Sequence, residues 1–484
     1  MNTTTFKPIL FAILMLLAGI SASAYDFESD GLYYKILSEE GRTVEVTYVY
    51  KDWNNSNYIS VSGNIRIPQK VLYNGKTYNV ISIGSFAFNH CVGIIYVTIP
   101  NSVTSIGSSA FYECSDLRLV KIGDSVTSIG EYAFYKCSDL RSVMIGNSMT
   151  SIGRSAFSNC YGLTSVTIGD SVTSIGEYAF SNCFGLRSVM IPNSVTSIGE
   201  YAFEYCSGLT SVTIGNSVTS IEPNMFGGCT KLEHINVNPE NINLSSIDGV
   251  VYNKDASTLL YCPIGKTAVT IPNYVTSIGG SAFYECNGLT SVMIPNSVTS
   301  IGEYAFEYCS GLTSVTIGNS VTSIGSSAFS NCSGLTSVTI PNSVTSIGEY
   351  AFLDCSSLET IYVHSQVPVK CAPRFSDDVL KNAILYVPTG TLAAYEKVEP
   401  WRDFWNIEEM DFSGVEETVA DGLEPQISVE NGIIRIGNTE GNPFVEVFDI
   451  SGKNVFSGND TTVSGLAKGI YIVKVGANVV KVRL

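Results

Sequence analysis

S-I-G-E-Y-A-F-E-Y-C-S-G-L-T-S-V-T-I-G-N-S-V-T, residues Ser300 to Thr322, is one copy of a 23-residue unit that occurs eleven times. Copies begin at Ser82, Ser105, Ser128, Ser151, Ser174, Ser197 and Ser220 and, after a break, at Ser277, Ser300, Ser323 and Ser346. A fixed period of this size marks a solenoid, in which each unit, or coil, stacks on the next. Counted from the first Ser, positions 2, 6, 7, 10, 13, 16, 18 and 22 are apolar or Cys: here Ile301, Ala305, Phe306, Cys309, Leu312, Val315, Ile317 and Val321. Positions 13–18, L-T-S-V-T-I, end in a period-2 alternation that predicts a short strand with Val and Ile inward and Ser and Thr outward. Positions 2–10 place apolar groups at i, i+4, i+5 and i+8, which predicts one or two helical turns. Gly or Pro followed by Asn or Asp at 19–20 supplies the return turn. The expected fold is therefore an α/β solenoid, its coils about 4.8 Å apart.

A stack cannot leave its apolar ends open, so both must be capped. Residues 25–81 alternate apolar and polar side chains, with a turn at Asn74-Gly75, and read as an N-terminal β cap. The repeats occupy 82–363, with an insertion at 239–276 whose two apolar runs around Asn253 to Ser257 predict a β-hairpin splitting the solenoid into seven and four coils. Residues 364–412 form a C-terminal cap in which Trp401 and Trp405 are expected to cover the core. A linker (413–424) leads to residues 425–484, where five or more short strands with Gly turns read as a small β-sandwich.

The unit S-I-G-x-x-A-F-x-x-C-x-x-L-x-x-V-x-I-P-x-S-V-T resembles the BspA-like, or Treponema-type, leucine-rich repeat of bacterial surface proteins. The hairpin I-D-G-V-V-Y and the closing P-W-R-D-F-W are similar to segments of the same family. The resemblance covers roughly residues 30–410 and implies a curved, right-handed leucine-rich-repeat stack outside a cell, engaged in adhesion. F-V-E-V-F-D-I-S-G-K followed by G-L-A-K-G-I-Y-I-V-K-V resembles the C-terminal sorting domain of the type IX secretion pathway. It implies passage across the outer membrane and attachment at the surface.

Residues 1–24 read as a secretory signal: Lys7 is the one charge, Ile9 to Ile20 is apolar, and Ala22-Ser23-Ala24 fits the cleavage rule. No Cys follows, which argues against a lipoprotein anchor, and no other segment is apolar enough to span a membrane. The expected product is secreted or attached to the cell surface. Of thirteen cysteines, eleven (Cys91, Cys114, Cys137, Cys160, Cys183, Cys206, Cys229, Cys286, Cys309, Cys332, Cys355) hold position 10, once per coil. That pattern predicts an inward ladder of reduced thiols rather than disulfides or a metal site, since no C-x-x-C is present. Cys262 and Cys371 fall outside the ladder. A net charge of −17 argues against nucleic-acid and anionic-membrane partners.

Chemistry-bearing motifs are sparse. The three histidines, His90, His234 and His364, have no local nucleophile pattern, and the chain has no nucleophile elbow, P-loop or zinc-protease motif. The chain is read as non-enzymatic and without cofactor. Its expected role is binding an extracellular protein or glycan, from the host or from other bacteria, as a monomer; the alternative is a spacer of the cell envelope. Sites should stand where outward positions depart from the repeated letters. Arg118, Arg141 and Arg187 replace Thr at position 14 in the second, third and fifth coils, Lys121 shares the strand of Arg118, and Tyr96 and Leu119 lie beside them. This row is the candidate ligand-binding site, its alternative being plain solvation. The tyrosines at position 5 (Tyr132, Tyr178, Tyr201, Tyr304, Tyr350) are candidates for an interface or for packing between coils.

Overall fold

The structure, a computed structural model, describes residues 25–48, 61–371, 375–412, 426–430, 433–437, 445–449, 453–475 and 478–483. The expected signal (1–24) and linker (413–424) lie outside them. Two compact units divide the chain, residues 1–163 and 164–484.

In the first unit the N-terminal cap is a β-meander, Phe27–Ser29, Leu32–Ser38 and Thr43–Thr47. The last of these pairs in parallel with Lys76–Ile83, which is already the start of the first coil. Ser82 and Ile83 then face Ser105 and Ile106, and these face Ser128 and Ile129, so cap and coils share one sheet. A second parallel sheet carries the outward-facing Thr/Ser columns. It runs Gly63–Arg66, Ile94–Thr98, Leu119–Lys121, Ser142–Met144. Most coils thus have a two-residue strand at positions 1–2 and a longer one near 15–18.

Between them, where the apolar spacing predicts helical turns, the described coils carry no helix apart from a single 3-10 turn at Pro223–Phe226 in the seventh. Positions 5 and 9 are left-handed instead: Tyr132 and Lys136 have φ of 56° and 55°, and Tyr304 and Tyr308 58° and 60°. The chain alternates short turns within a coil with bonds to the next coil. Ala133, Tyr135 and Cys137 donate to Gly130, Tyr132 and Phe134, while Tyr132, Phe134 and Lys136 donate to Arg154, Ala156 and Ser158 of the following coil. The reason is width. An α-helix is about 10 Å across and satisfies its own N–H groups, whereas stacked phenylalanines at position 7 set the coils about 5 Å apart (Phe88–Phe111 and Phe111–Phe134 both 5.0 Å). Left-handed residues aim every second N–H along the stack, which closes a hydrogen-bond ladder on this side as well.

The position-10 thiols are all buried and unpaired with one another as disulfides. Each Sγ–H in the regular stack donates to the carbonyl of the Phe in the preceding coil: Cys114 to Phe88, Cys137 to Phe111, Cys309 to Phe283 and Cys355 to Phe329, at 3.0–3.2 Å. Burial pushes the thiols of Cys114, Cys137 and Cys355 well above their ordinary range.

In the second unit the insertion is larger than a hairpin, and both sheets of the coils are interrupted at it. Leu244–Ile247, Val250–Asn253 and Thr258–Tyr261 form a three-stranded meander whose last strand pairs in parallel with Ser277–Ile278 of the eighth coil. Cys262 donates its N–H to Ala282, the bond a position-7 Phe makes elsewhere, so it stands in that ladder. Tyr261 reaches back to Phe226 (6.0 Å), and Gly265 donates to Leu232. The insertion therefore replaces a coil. Beyond the eleventh coil, Phe375 continues the phenylalanine ladder and Trp401, fully buried, donates Nε1 to Val369 at 3.0 Å. Trp405, expected to cover the core, is 73% exposed. It follows the buried Phe404 as an outward position 14 follows an inward position 13. Residues 426–483 make two sheets, one of Gln426–Glu430, Ile433–Gly437 and Thr462–Val463 and one of Asn454–Gly458, Val445–Asp449, Ile470–Val475 and Asn478–Arg483. They share a core of Ile434, Val445, Val447, Val463 and Val473, as the sandwich expectation requires.

Candidate functional site

Most outward letters of the repeat are structural. Threonine hydroxyls at position 23 bond the carbonyl of the same position one coil back, as Thr299 does to Thr276 and Thr322 to Thr299 (3.1 and 3.0 Å). Those at position 14 do likewise: Thr313 to Thr290 and Thr336 to Thr313. A face that repeats Thr-Ser-Val-Thr has thus already used much of its bonding capacity on its neighbour. Substitutions at position 14 forgo such a bond, a net loss of about 1 kcal/mol each. At Arg118, Arg141 and Arg187 they gain a longer, charged side chain instead.

In the first unit these departures gather on the long strands. Parallel register places Asn64, Tyr96, Leu119 and Ser142 in one outward row and Arg66, Thr98 and Lys121 in the next. Arg118 and Arg141 precede the rows at position 14 of adjacent coils, joined by the bond from Arg141 N–H to Arg118 O (3.1 Å). Both guanidiniums lie 3.8–3.9 Å from Asp139, which links them at exposed, screened distances. Arg66 and Lys121 are exposed and have no ion-pair partner among the described residues. Tyr96 and Leu119 are 42% and 44% exposed between the cations, and Met144 is 72% exposed. Arg118, Lys121, Arg141 and Tyr96 are therefore brought together. Arg187 belongs to the second unit, where its Nη1 donates to Gly208 O at 3.4 Å.

Arg66 and Asp139 were missed by reading within coils. Arg66 lies in N-I-R-I-P of the cap, and only the register between cap strand and first coil puts it on this face. Asp139 sits at position 12, outside the strand columns.

Elsewhere, Tyr132, Tyr178 and Tyr201 pack against other rings, whereas Tyr304 is exposed. Tyr178 and Tyr201 stack at 4.8 Å, and Tyr132 meets Tyr135 edge-on at 5.7 Å. Of the histidines, His90 Nδ1 lies 3.0 Å from Glu113, whose other oxygen accepts from Lys136 at 2.9 Å, a ladder of side-chain contacts along position 9. His234 is 4.0 Å from Glu233, and His364 lies against Phe412. Among the described residues no group of three or more His, Cys, Asp or Glu is placed to hold a metal ion, and no helix is long and apolar enough to cross a membrane.

Set beside known proteins, residues 75–184, 150–265 and 256–376 match the family described as BspA type leucine rich repeat region, well over half of the chain. No curated protein matches. Among solved structures, a leucine-rich repeat protein from Bacteroides ovatus is 26% identical over 80% of this chain and all of its own, with a TM-score of 0.49. A leucine rich cell surface protein from Faecalibacterium prausnitzii is 28% identical over 81% of this chain and 95% of its own, with a TM-score of 0.49. The pneumococcal vaccine antigen PcpA is 21% identical over 80% of this chain and 98% of its own; its TM-score of 0.51 supports the shared fold.

Proposed function

The chain belongs to the BspA-type leucine-rich repeat family, and from that premise we propose that it is a non-catalytic binding protein of the bacterial cell surface, an adhesin that engages an extracellular macromolecule through its strand face. The observation that supports this is the cluster of departures in the first unit. In a chain of net charge −17, Arg66, Arg118, Lys121 and Arg141 stand around exposed Tyr96 and Leu119 where other coils carry Ser and Thr. Arginine and tyrosine are frequent interface anchors, and cations on one face steer an acidic partner at physiological ionic strength. Replacing Arg118, Lys121, Arg141 and Arg187 with Thr tests the reading. Native melting should persist, while adhesion to matrix proteins, sulfated glycans or partner bacteria should weaken, and wild-type adhesion should decline as salt rises. Equal adhesion of the variant at low salt overturns it.

The route to the surface completes the proposal. Residues 1–24 act as the export signal and 425–484 as the sorting domain, so a chain lacking 425–484 is retained behind the outer membrane. Unchanged surface display of that truncated chain counts against the route.

A second reading, an envelope spacer without a ligand, draws on the Thr hydroxyls committed between coils and on the near-identity of the copies. It predicts no binding in any of these assays and a shorter reach when coils are removed.

A further inference from the structure

The strand face of the second unit ends in chemistry opposite to that of the first. Its last strands, Thr360–Val363, Ile384–Pro388 and Asn406–Met410, pair in parallel. Tyr362, Tyr386 and Glu408 stand in direct register in one outward row, and the two tyrosine rings stack at 5.1 Å and 9°. At position 14 of the flanking strands are Glu359 and the 73%-exposed Trp405. Glu408 and Glu359 are exposed and have no ion-pair partner among the described residues. Glu409, by contrast, is turned away to accept from the N–H groups of Gly390 and Leu392.

The two faces are counterparts. One surrounds Tyr96 and Leu119 with four cations; the other sets two carboxylates around Tyr362, Tyr386 and Trp405. Both draw on positions 14 and 17, the cationic face on position 15 as well, on strands about 4.8 Å apart. We propose that the cationic face of the first unit is occupied by the acid–aromatic face of a second copy of this chain, the copies joining head to tail. The inference rests on the cationic face being the binding surface of the reading above, and it names the occupant. A sulfated glycan neutralises the cations but leaves Tyr96, Leu119 and Trp405 in water. A second copy covers the apolar groups and the charges together. Because unlike patches meet, the contact is heterologous, and a joined pair keeps one free patch of each kind for further growth. Each patch spans three or four short strands, which puts the contact in the weak, transient class. It forms at the crowding of a cell surface, and the dilute protein is a monomer.

Sedimentation of the full chain over a wide concentration range, in about 0.1 M salt to screen the net repulsion between copies, decides the matter. Wild type should gain mass with concentration and lose it in about 1 M salt. Arg118→Glu with Arg141→Glu, and separately Glu359→Arg with Glu408→Arg, should each stay monomeric. An equimolar mixture of the two variants should associate again, because the intact cationic face of one meets the intact acid–aromatic face of the other; that recovery also shows both variants folded. Three results overturn the proposal: a wild type monomeric at every concentration, a single reversed variant that still associates, or a mixture that fails to recover. Failure here, with the Thr variant still losing adhesion to other ligands, leaves the proposed function standing.

Discussion

Each position-10 cysteine does two jobs that no other residue of its size does together. It fills a small buried space, and within the regular stack its Sγ–H reaches the Phe carbonyl of the preceding coil, as Cys332 does to Phe306 at 3.1 Å. Ala fills the space without the bond, and Ser brings a more polar group that is more costly to bury. The native protein should therefore resist thiol alkylation at the ladder and react only in denaturant, which mass spectrometry of the labelled chain reads directly; several ladder disulfides in the native protein refute this. Stability carries the same signature. In the fold the thiols of Cys114, Cys137, Cys229, Cys309 and Cys355 stay protonated, because burial raises them above their usual range, while in the unfolded chain they ionise at about pH 8.5. The unfolded state then binds fewer protons, so stability is full below that pH and falls above it, by about 1.4 kcal/mol per pH unit for each thiol. Melting of the reduced protein should drop steeply above about pH 8.5, and Cys309→Ala should reduce that slope.

At the scale of the element, the strand half of every coil was legible and the turn half was not. Alternation of Val315 and Ile317 with Ser314 and Thr316 dictates a strand whatever lies around it. The spacing of Ile301, Ala305, Phe306 and Cys309 fits a helix equally well, and only the coil separation rules the helix out, a quantity no single coil contains. The same blindness hid Arg66 and misplaced Trp405, whose surroundings are set by registers across strands. Cys262 could be placed only once Ala282 showed which column it joins. Glycine at position 3 was legible as recurrent but not as required. A Cβ on Gly325 would lie 2.5 Å from the backbone of Gly302 and Glu303, so Gly325→Ala should lower the thermal midpoint, with a cost of about 1–3 kcal/mol. Gly280, whose added Cβ meets its nearest atom at 3.4 Å, should accept Ala with little change; equal losses at both positions would refute the close-approach argument.

For the whole molecule, the main consequence is that interfaces between coils are nearly interchangeable. Phe283, Phe306, Phe329 and Phe352 stack at 4.6–5.4 Å with planes within 10° of parallel, and the thiol and threonine bonds repeat across each junction. Stability is then a sum over neighbouring pairs rather than the property of one core. Removing residues 300–322, one complete coil, should leave a folded chain of slightly lower melting temperature. A collapse of the fold on that deletion would mean that a particular coil, and not the pairwise interface, holds the stack.

The ladder of left-handed turns has a mechanical meaning for a protein under flow. When tension is applied at the two ends, the bonds from one coil to the next are loaded a few at a time, as a zip is, rather than all together as in a sheared sheet. Each released coil adds 23 residues of slack, roughly 80 Å when extended, and leaves the next junction as it was. The chain should respond to pulling as a train of small, equal, low-force steps, visible in a single-molecule stretching trace, and any load carried through it would meet a yielding cord rather than a rod that snaps.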